Sequence, residues 1–592
     1  MLSAMEISYR RYTDILLALF FVAFVLLAAA GSHYSSETEK PFHKTRYSYD
    51  DDNNNNNDFG YHYAQDFDPN VTEYWFRAVV DHFNFRPTSE PTFPLRYLVN
   101  DQYYQNSSSP VIFYAGNEAN IMQFVKNSGF LFEAAESLGA MVVFAEHRYY
   151  GKSFPFGSPE AALTPYNISY LTVEQAMADF NTLQVLIRNK WRMSRDTAFI
   201  AAGGSYGANL ALWLRLKNAN LWAGALASSA TPLKHLLRES NAFNRIVAEV
   251  YSNVTGGNDA CPSKIRQGWK ELFELLRSNS TGRDRVKQTL HLCEMPDNGN
   301  ATGIAETIHG WISGGLETMV QYGYPYPTNF YNPVPAYPFR EACMRMLTAP
   351  NGLEALYLAT QVYYNYTGQA GECFSWLSAS TTSDKNSFSS SLSSSSSESS
   401  VRNSHDRHWY RLGQIDRLHR KRGLEEEDYT DIAWQYQCCT EVYQPMPTNG
   451  VTDFEMPHKP SKIKYFERCQ KRWEGVTPRP NWEEMTFWSS NIQAGSNIFL
   501  ASGQLDPWRA AGIQSAPPGL PDSITIRIIE NGAHHFDLRG SHPLDPPGVI
   551  QVREEELAAM RQWIVQWKEF YPATTGTSPA SEDRPFGQLL NF

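Results

Sequence analysis

The sequence predicts an α/β fold in which a parallel sheet is interrupted by a long helical insertion. From Pro110 onward, short apolar runs that end in glycine or a polar residue alternate with stretches whose apolar residues recur every three or four positions. This alternation is typical of parallel strands joined by crossover helices. After about Pro232 the strand-like runs stop, and they return only at 496–503 and 523–532. We therefore expect one sheet built from two separated parts of the chain.

The individual elements follow from the same two patterns. The helix-like stretches NSGFLFEAAESLG and TVEQAMADFNTLQVLIRNKW lie between strand-like runs, and Thr172 and Glu174 give the second an acidic start that can be capped. The last periodic stretch, EEELAAMRQWIVQWKEFY, predicts a helix that packs on the sheet. The strand-like runs are VIFYAGNEA, AMVVFAEHR, DTAFIAAGG, GALASSA, SNIFLASG and SITIRIIENG.

The N-terminal region predicts a targeting segment and a leader. Residues 1–30 have the layout of a secretory signal peptide, because Arg10 and Arg11 precede an apolar run that ends in small residues up to Ala30. We expect cleavage after Ala30, and the alternative is an uncleaved signal anchor. Residues 31–70, with the run DDDNNNNND, carry too little apolar surface to fold and are expected to be a disordered leader.

The rest of the chain divides into three segments. Residues 71–232 and 471–592 carry the strand pattern, and 233–470 are expected to form a mostly helical cap inserted between them. Within this cap, the serine-rich tract 377–404 cannot pack a core and is expected to be a disordered loop. The basic run 417–423 is interpreted as a solvated charge run or, alternatively, as an exposed site at which maturation cleaves the chain.

The composition excludes several classes of protein. The chain has 592 residues, of which 42% are hydrophobic and 14% aromatic, and this content excludes a mainly disordered protein. A net charge of −11 argues against a nucleic-acid partner, because phosphate binding requires a concentrated Lys/Arg surface. The cysteines and histidines lack zinc-site spacing, so we expect no metal and no cofactor.

Sequons and cysteines indicate the secretory pathway. In an oxidising compartment most of the seven cysteines should be paired, which leaves one over. We expect a lysosomal, vacuolar or extracellular protein without stable membrane association once the signal is cleaved. The sequons for N-glycosylation are at Asn70, Asn106, Asn167, Asn253, Asn279, Asn300 and Asn365.

The sequence GGSYG at 203–207 fits the nucleophile motif G-x-S-x-G. The apolar run AFIAAG precedes it and the helix-like stretch ANLALWLRLKN follows it, which is the context that the motif requires. Flanking glycines permit the sharp turn from strand to helix that exposes the hydroxyl of Ser205. The motif therefore predicts an α/β-hydrolase fold with Ser205 as nucleophile, and the alternative is a glycine-rich turn with an inert serine.

A serine nucleophile requires a histidine base that is oriented by a buried carboxylate. Asp506 follows the strand-like run SNIFLASG, and His534 and His535 follow the strand-like run ITIRIIENG. Residues at the carboxyl ends of parallel strands meet at one edge of a sheet. The order serine, acid, histidine is the order of α/β-hydrolases, so a triad is predicted with one of the two histidines as base.

An ordered set of motifs resembles the proline-specific serine peptidases, the family that includes lysosomal Pro-X carboxypeptidase and dipeptidyl peptidase II. This resemblance implies an inserted helical cap on an α/β-hydrolase core. It assigns the nucleophile to Ser205, the acid to Asp506 and the base to His534 rather than His535. The motifs are DHFNF, GNEANI, FAEHRYYGKSFPFG, LTVEQAMADF, GGSYG, YPYPTNF, CCTE, GQLDPW and GAHHFDLR.

The resemblance also assigns other residues and exposes two departures. Trp508 is expected to stack on a proline ring. Ala208 and Asn209 stand where the family has a glycine and an apolar residue of the proline pocket. Ala208 should be tolerated, whereas Asn209 would change the pocket wall. Cys438 is left over from the implied disulfides, which join Cys261 with Cys343, Cys293 with Cys373 and Cys439 with Cys469.

The expected reaction is acyl transfer at a peptide bond next to proline. For the oxyanion hole we nominate the backbone N–H of Tyr206 and a second N–H from the turn of Gly116 and Asn117. The expected partners are peptides that contain proline, and a homodimer is a possible assembly. Carboxypeptidase and dipeptidyl peptidase activities both stay open. A lipase or esterase and a catalytically silent binding protein are further alternatives.

Overall fold

The computed structural model describes most of the chain from residue 69 onward. The predicted signal peptide 1–30, the leader up to residue 68, the serine-rich tract 377–404 and the basic run 417–423 lie outside the described residues. Among the helices that are described, none is long and apolar enough to cross a membrane. The described residues are 69–84, 91–233, 235–278, 280–296, 300–369, 371, 373–374, 426–479, 481–487 and 489–573.

The described residues form a mixed sheet of eight strands. These are β1 (Thr72–Val79), β2 (Thr92–Asn100), β3 (Val111–Ala115), β4 (Met141–Ala145), β5 (Phe199–Gly204), β6 (Gly224–Ser228), β7 (Ile498–Gly503) and β8 (Ile524–Ile529). Their order across the sheet is β1-β2-β4-β3-β5-β6-β7-β8. β2 is antiparallel to both of its neighbours, and all other neighbouring pairs are parallel. The α/β architecture predicted from the sequence is therefore confirmed.

Helices cover the sheet and fill the interval between β6 and β7. In chain order they are α1 (Ile121–Asn127), α2 (Gly129–Leu138), α3 (Pro159–Ala162), α4 (Val173–Lys190), α5 (Tyr206–Lys217), α6 (His235–Glu239), α7 (Ala242–Val250), α8 (Ala260–Ser278), α9 (Ser280–Thr289), α10 (Ala301–Gln321), α11 (Pro338–Leu347), α12 (Gly352–Tyr364), α13 (Glu426–Thr440), α14 (Lys462–Arg472), α15 (Trp482–Phe487) and α16 (Pro547–Phe570). Between β6 and β7 the described residues form no strand of the sheet.

The central strands are buried on both faces. Alternate residues of a strand point to opposite faces, and Ile112 of β3 belongs to the core that contains Trp563 of α16. The neighbouring Phe113 belongs to the opposite core and packs edge-on against Trp222, with ring centroids 5.0 Å apart. A Cβ at Gly224 of β6 would lie 2.2 Å from the Trp563 ring, so this glycine lets α16 lie close to the sheet. The final helix therefore packs on the sheet, as its periodicity predicts.

The helical region between β6 and β7 packs around a core that is separate from those of the sheet and also includes buried residues of the turn after β7. Trp269 of α8, Ile308 of α10 and Leu356 of α12 are buried in it. Phe487 at the end of α15 instead stacks on Trp213 of α5, with ring centroids 4.5 Å apart, within the core of the sheet. The cap and its boundaries, 233 and 470, stay predictions.

The first two strands are absent from the sequence prediction, which finds its strand pattern only from Pro110 onward. β1 and β2 pair along their whole length, from Thr72 opposite Val99 to Val79 opposite Thr92. β1 is an edge strand, and most of its side chains are only partly buried. An edge strand does not require a continuous apolar run, so a pattern search based on buried strands misses it.

Candidate active site

Ser205 occupies a strained turn between β5 and α5. Its backbone has φ 57° and ψ −123°, a conformation that residues other than glycine rarely adopt. A Cβ at Gly203 would lie 2.2 Å from the carbonyl oxygen of Gly207, and a Cβ at Gly207 would lie 2.6 Å from that of Ala115. The Ser205 N–H donates to the carbonyl oxygen of Ser228 at 3.0 Å. The two motif glycines are thus required by close backbone contacts.

Asp506 and His534 form a buried pair at the carboxyl ends of β7 and β8. His534 Nδ1 lies 2.8 Å from Asp506 Oδ2. The other carboxylate oxygen, Oδ1, accepts the N–H of Trp508 at 2.9 Å. Because a carboxylate can only accept here, Nδ1 carries the imidazole proton, and Nε2 is left as the basic nitrogen.

The main chain of His534 is held by the helical region. Its N–H donates to the carbonyl oxygen of Gln321 at the end of α10, at 3.0 Å. Its own carbonyl oxygen accepts the hydroxyl of Tyr324 at 2.8 Å. The position of the candidate base therefore depends on the helical region as well as on the sheet.

His535 is buried beside His534 and differs from it in its contacts. Its N–H donates to Ser229 Oγ at 2.8 Å, and a Cβ at Gly204 would lie 3.2 Å from its ring. Burial and the neighbouring His534 and Arg539 hold the pKa of His535 well below its ordinary value. His535 is therefore neutral, and its ring forms part of the wall behind the serine turn.

The predicted oxyanion donors lie on two neighbouring turns. Tyr206 begins α5 directly after the nucleophile. The Gly116 N–H donates to the carbonyl oxygen of Ala145 at 3.0 Å and so belongs to the sheet hydrogen bonding. This favours Asn117 over Gly116 as the second donor, and Asn117 Oδ1 accepts the hydroxyl of Tyr114 at 3.2 Å.

The Tyr206 side chain belongs to a buried polar network. His147 donates from Nδ1 to the carbonyl oxygen of Arg148 at 2.7 Å, so its Nε2 accepts the Tyr206 hydroxyl at 3.2 Å. The hydroxyl also accepts Gln437 Nε2 of α13 at 3.0 Å. Burial lowers the pKa of His147 to about 4, so this histidine is neutral over most of the acidic range. The network ties the residue after the nucleophile to the helical region.

A buried ion pair supports the turn that carries Asn117, and sequence reasoning missed it. Glu146 accepts Arg96 Nε at 3.2 Å, the Ile121 N–H at 3.2 Å and Ser153 Oγ at 2.7 Å. Arg96 Nη2 also donates to Asn120 Oδ1 at 2.7 Å. Arg96 lies in the sequence before the motifs GNEANI and FAEHRYYGKSFPFG, and only the fold brings the three together.

The two predicted pocket residues have different surroundings. Trp508 is half-buried and packs edge-on against Phe243 of α7, with ring centroids 4.9 Å apart. Asn209 is fully buried, and its amide bonds Thr231 twice: Nδ2 lies 3.1 Å from Thr231 Oγ1, and Oδ1 accepts the Thr231 N–H at 2.8 Å. The polar atoms of Asn209 are therefore satisfied inside the protein.

A small pocket lined partly by aromatic side chains lies at the end of α10, with room for about one water molecule. Two of its lining residues, Tyr322 and Phe330, also contact the His535 ring, with centroids 6.4 and 5.9 Å apart. This places the pocket beside His535, the residue after the candidate base. It is lined by Thr318, Met319, Tyr322, Thr328, Phe330, Tyr331, Asn332, Val334 and Tyr363.

The cysteines and sequons lie mainly outside the catalytic strands. Cys438 is buried and takes part in none of the disulfides. Asn279 lies outside the described residues; of the other sequon asparagines, Asn167 and Asn365 are half-buried and the rest are exposed. The disulfides join Cys261 with Cys343, Cys293 with Cys373 and Cys439 with Cys469, the pairs that the resemblance implies.

Comparison with known proteins shows which family contains this chain. The family described as "Serine carboxypeptidase S28" matches residues 78–412 and 414–556, which is more than half of the chain. The chain belongs to this family. It is therefore a hydrolase of the serine peptidase class, and its strand order and serine turn are those of the α/β-hydrolase fold.

Several relatives match this member of the S28 family over most of its length. Lysosomal Pro-X carboxypeptidase from Bos taurus is 34% identical over 498 residues, which cover 83% of this chain and 87% of the relative. The Homo sapiens protein of that name is 33% identical over 509 residues, covering 85% and 89%. Thymus-specific serine protease from Homo sapiens is 23% identical, covering 84% and 87%. Among solved structures, proline iminopeptidase from Mycobacterium smegmatis aligns with 84% of this chain and 99% of its own, at 9% identity and a TM-score of 0.26.

Proposed function

We propose that this protein is a serine exopeptidase that cleaves next to proline, in the manner of a Pro-X carboxypeptidase. The observation that carries the proposal is the buried contact between His534 and Asp506 at the carboxyl ends of β7 and β8. Ser205 directly follows β5 at the same edge of the sheet. The similarity to lysosomal Pro-X carboxypeptidases over most of the chain supports the substrate class.

In the proposed mechanism, His534 Nε2 accepts the proton of Ser205 Oγ as the oxygen attacks the carbonyl carbon of the scissile bond. Asp506 keeps the proton of His534 on Nδ1 and stabilises the imidazolium that forms. His534 then returns its proton to the leaving amine, which leaves an acyl group on Ser205. Water, deprotonated by His534, hydrolyses this ester and regenerates the serine.

The proposed oxyanion hole consists of two backbone N–H groups, those of Tyr206 and Asn117. Such donors stabilise the charge that develops on the carbonyl oxygen in the transition state by about 2.7 to 4 kcal/mol each. Each nominated residue has its side chain fixed: Tyr206 by His147 and Gln437, and Asn117 by Tyr114. These contacts support a preorganised site.

We assign proline recognition to the aromatic surroundings of the triad. Trp508 follows Asp506 by two residues and keeps part of its ring exposed. Tyr322 and Phe330 add buried aromatic side chains next to His535. Asn209 would act on this pocket through the position of Thr231, because its own amide is bonded there.

We propose that the helical region 233–470 acts as a cap that restricts the site to the end of a peptide. Two hydrogen bonds support this role because they fix the helical region against the base: the His534 N–H donates to the Gln321 carbonyl oxygen, and the Tyr324 hydroxyl donates to the His534 carbonyl oxygen. The names of the relatives and the exposed sequons support a lysosomal or secreted location. A homodimer stays a prediction, to be tested by the mass in solution.

The decisive experiment uses a peptide with proline at both the second and the penultimate position. The purified protein and a Ser205→Ala control are incubated with it, and the products are identified by mass. Release of one C-terminal residue by the wild type alone supports the proposal. Release of an N-terminal dipeptide would assign the protein to the dipeptidyl peptidase alternative.

If neither product forms, the peptidase proposal is contradicted. Two further assays then identify the alternative. Ser205-dependent cleavage of short esters would indicate an esterase. Failure of a fluorophosphonate probe to label Ser205 would indicate a catalytically silent protein.

A further inference from the structure

A buried carboxyl group lies three residues after the candidate base and is not used by the proposed mechanism. Asp537 is fully buried, and its Oδ1 accepts the hydroxyl of Ser228 at 2.6 Å. Ser228 ends β6, the strand between the one that carries Ser205 and the one that carries Asp506. Asp537 is therefore hydrogen-bonded to the end of the strand that lies between those of Ser205 and Asp506.

The end of β6 contacts both the nucleophile turn and the base loop. The carbonyl oxygen of Ser228 accepts the N–H of Ser205 at 3.0 Å. The next residue, Ser229, accepts the N–H of His535 on its hydroxyl at 2.8 Å. A displacement of Asp537 would therefore move Ser205 and His535, because hydrogen bonds of Ser228 and Ser229 connect them.

A second buried carboxyl group, Glu556 of α16, faces Asp537. The charge of Asp537 acts directly on Glu556, so the two carboxyl groups lie near each other. Asp537 Oδ2 and both oxygens of Glu556 have no hydrogen-bond donor among the other described residues. Two carboxyl groups can bond only if one of them keeps its proton, because both ionised groups would be acceptors alone.

The charged residues near Asp537 and Glu556 do not remove the need for a proton between the two carboxyl groups. Arg553, one turn before Glu556, donates to the carbonyl oxygens of Asp537 and Phe536 at 2.9 and 3.1 Å, and its Nη1 bonds Asp545 at 2.6 Å. Its positive charge is thus paired with the carboxylate of Asp545. A further charged neighbour, Glu555 of α16, is paired with Arg527 and supplies no positive charge to the two carboxyl groups. The buried pair can therefore carry one negative charge but is strongly destabilised by a second.

We propose that Asp537 and Glu556 are positioning residues that share one proton, and that loss of this proton in alkaline solution displaces the base loop and lowers catalysis. The proposal rests on the roles proposed above for Ser205 and His534. It assigns an upper pH limit of activity to a carboxyl pair that does not touch the substrate.

The direction of the pH effect follows from the proton that the folded state retains. Burial and Asp537 raise the pKa of Glu556 well above its ordinary value of 4.5, and burial raises the pKa of Asp537. The unfolded chain loses this proton near the ordinary value, whereas the folded protein keeps it. The stability due to the pair is therefore complete below the ordinary pKa and is lost as the pH rises through the raised one.

The test measures Ser205 reactivity toward a fluorophosphonate, a probe without an ionisable group, between about pH 4 and about pH 9. Glu556→Gln keeps a hydrogen-bond donor toward Asp537 but cannot ionise. Glu554→Gln, on an exposed position of the same helix, is the matched control. We expect the wild type and the control to lose Ser205 reactivity at the same alkaline pH. The alkaline limb of the profile, where reactivity is lost, should lie at least about one pH unit higher for Glu556→Gln.

Each result decides the proposal. An alkaline limb that Glu556→Gln leaves in place would overturn it, as would a folded Glu556→Gln that is unreactive at every pH. If Glu556→Gln does not fold, Asp537→Asn tests the same shift. A wild-type melting temperature that does not fall as the pH rises from about 5 to about 9 would overturn it without any variant. Absence of Ser205 labelling at every pH would instead contradict the proposed function, and melting would still test the pair.

Discussion

At the scale of single residues, the two oxygens of Asp506 have separate partners. Oδ1 accepts a backbone N–H of the following turn, and Oδ2 accepts His534 Nδ1. The carboxylate is thus fixed before it orients the imidazole. The places after strands predicted Asp506 and one of two histidines, and the family resemblance chose His534. Which oxygen of Asp506 accepts which N–H depends on a turn geometry that residue types do not specify.

Replacement of Asp506 by asparagine should separate orientation from folding. The asparagine Oδ1 can still accept the Trp508 N–H, but its amide would donate to His534 Nδ1 and move the imidazole proton to Nε2. The base could then not accept the Ser205 proton, so we expect kcat to fall by about 10³- to 10⁴-fold. Hydrolysis of a prolyl peptide measures this loss. Asp522→Asn, on an exposed turn, is the control, and equal activity of both variants would contradict the assignment.

At the scale of elements, the site depends on turns held by buried polar side chains. The turn from Gly116 to Ile121 is held by Glu146 and Arg96, and the turn of Ser205 by the carbonyl oxygen of Ser228. The sequence predicted these turns from glycines and from strand ends. It did not predict their supports, because Arg96 lies 50 residues from Glu146 and their contact requires the sheet.

Neutralising Glu146 should affect both stability and reactivity. Glu146→Gln leaves the buried Arg96 with Asn120 as a neutral partner and with Glu73, at 3.4 Å, as its remaining carboxylate, and breaking a buried ion pair in this way costs about 3–5 kcal/mol. The free energy of unfolding in urea should fall by that amount, and labelling of Ser205 should slow because the Asn117 turn loses its support. Glu136→Gln, on the exposed face of α2, should change neither. A variant as stable as the wild type would show that the pair does not hold the turn.

At the scale of the whole molecule, the helical region stabilises the site from outside the sheet. It contributes Gln321 and Tyr324 to the base and Gln437 to the residue after the nucleophile. Its own order depends in part on disulfides, of which Cys261–Cys343 spans 82 residues and is buried in the helical core. Removing a disulfide from this region should therefore lower the free energy of unfolding without abolishing the reactivity of Ser205.

Removal of that disulfide tests this expectation. A long closed loop restricts the unfolded chain, so Cys261→Ala with Cys343→Ala should lower the free energy of unfolding by about 2–5 kcal/mol. Below the melting temperature, Ser205 labelling should persist, because the disulfide touches none of the triad residues. Cys438→Ala, which removes a buried thiol without breaking a disulfide, should cost less. Loss of labelling in the folded double variant would show that the helical core positions the triad directly.

The sequence by itself determined the α/β class, the serine turn and the order of the candidate triad. These features are local: periodicity, a glycine-flanked serine, and polar residues that follow apolar runs. Only the tertiary structure decided that the Asn209 amide is bonded to Thr231 and that the Gly116 N–H is used by the sheet. It also decided that Ser228 and Asp537, which are 309 residues apart, are hydrogen-bonded to each other next to the site. Such contacts join distant parts of the chain, and their geometry exists only once the sheet and its final helix have packed.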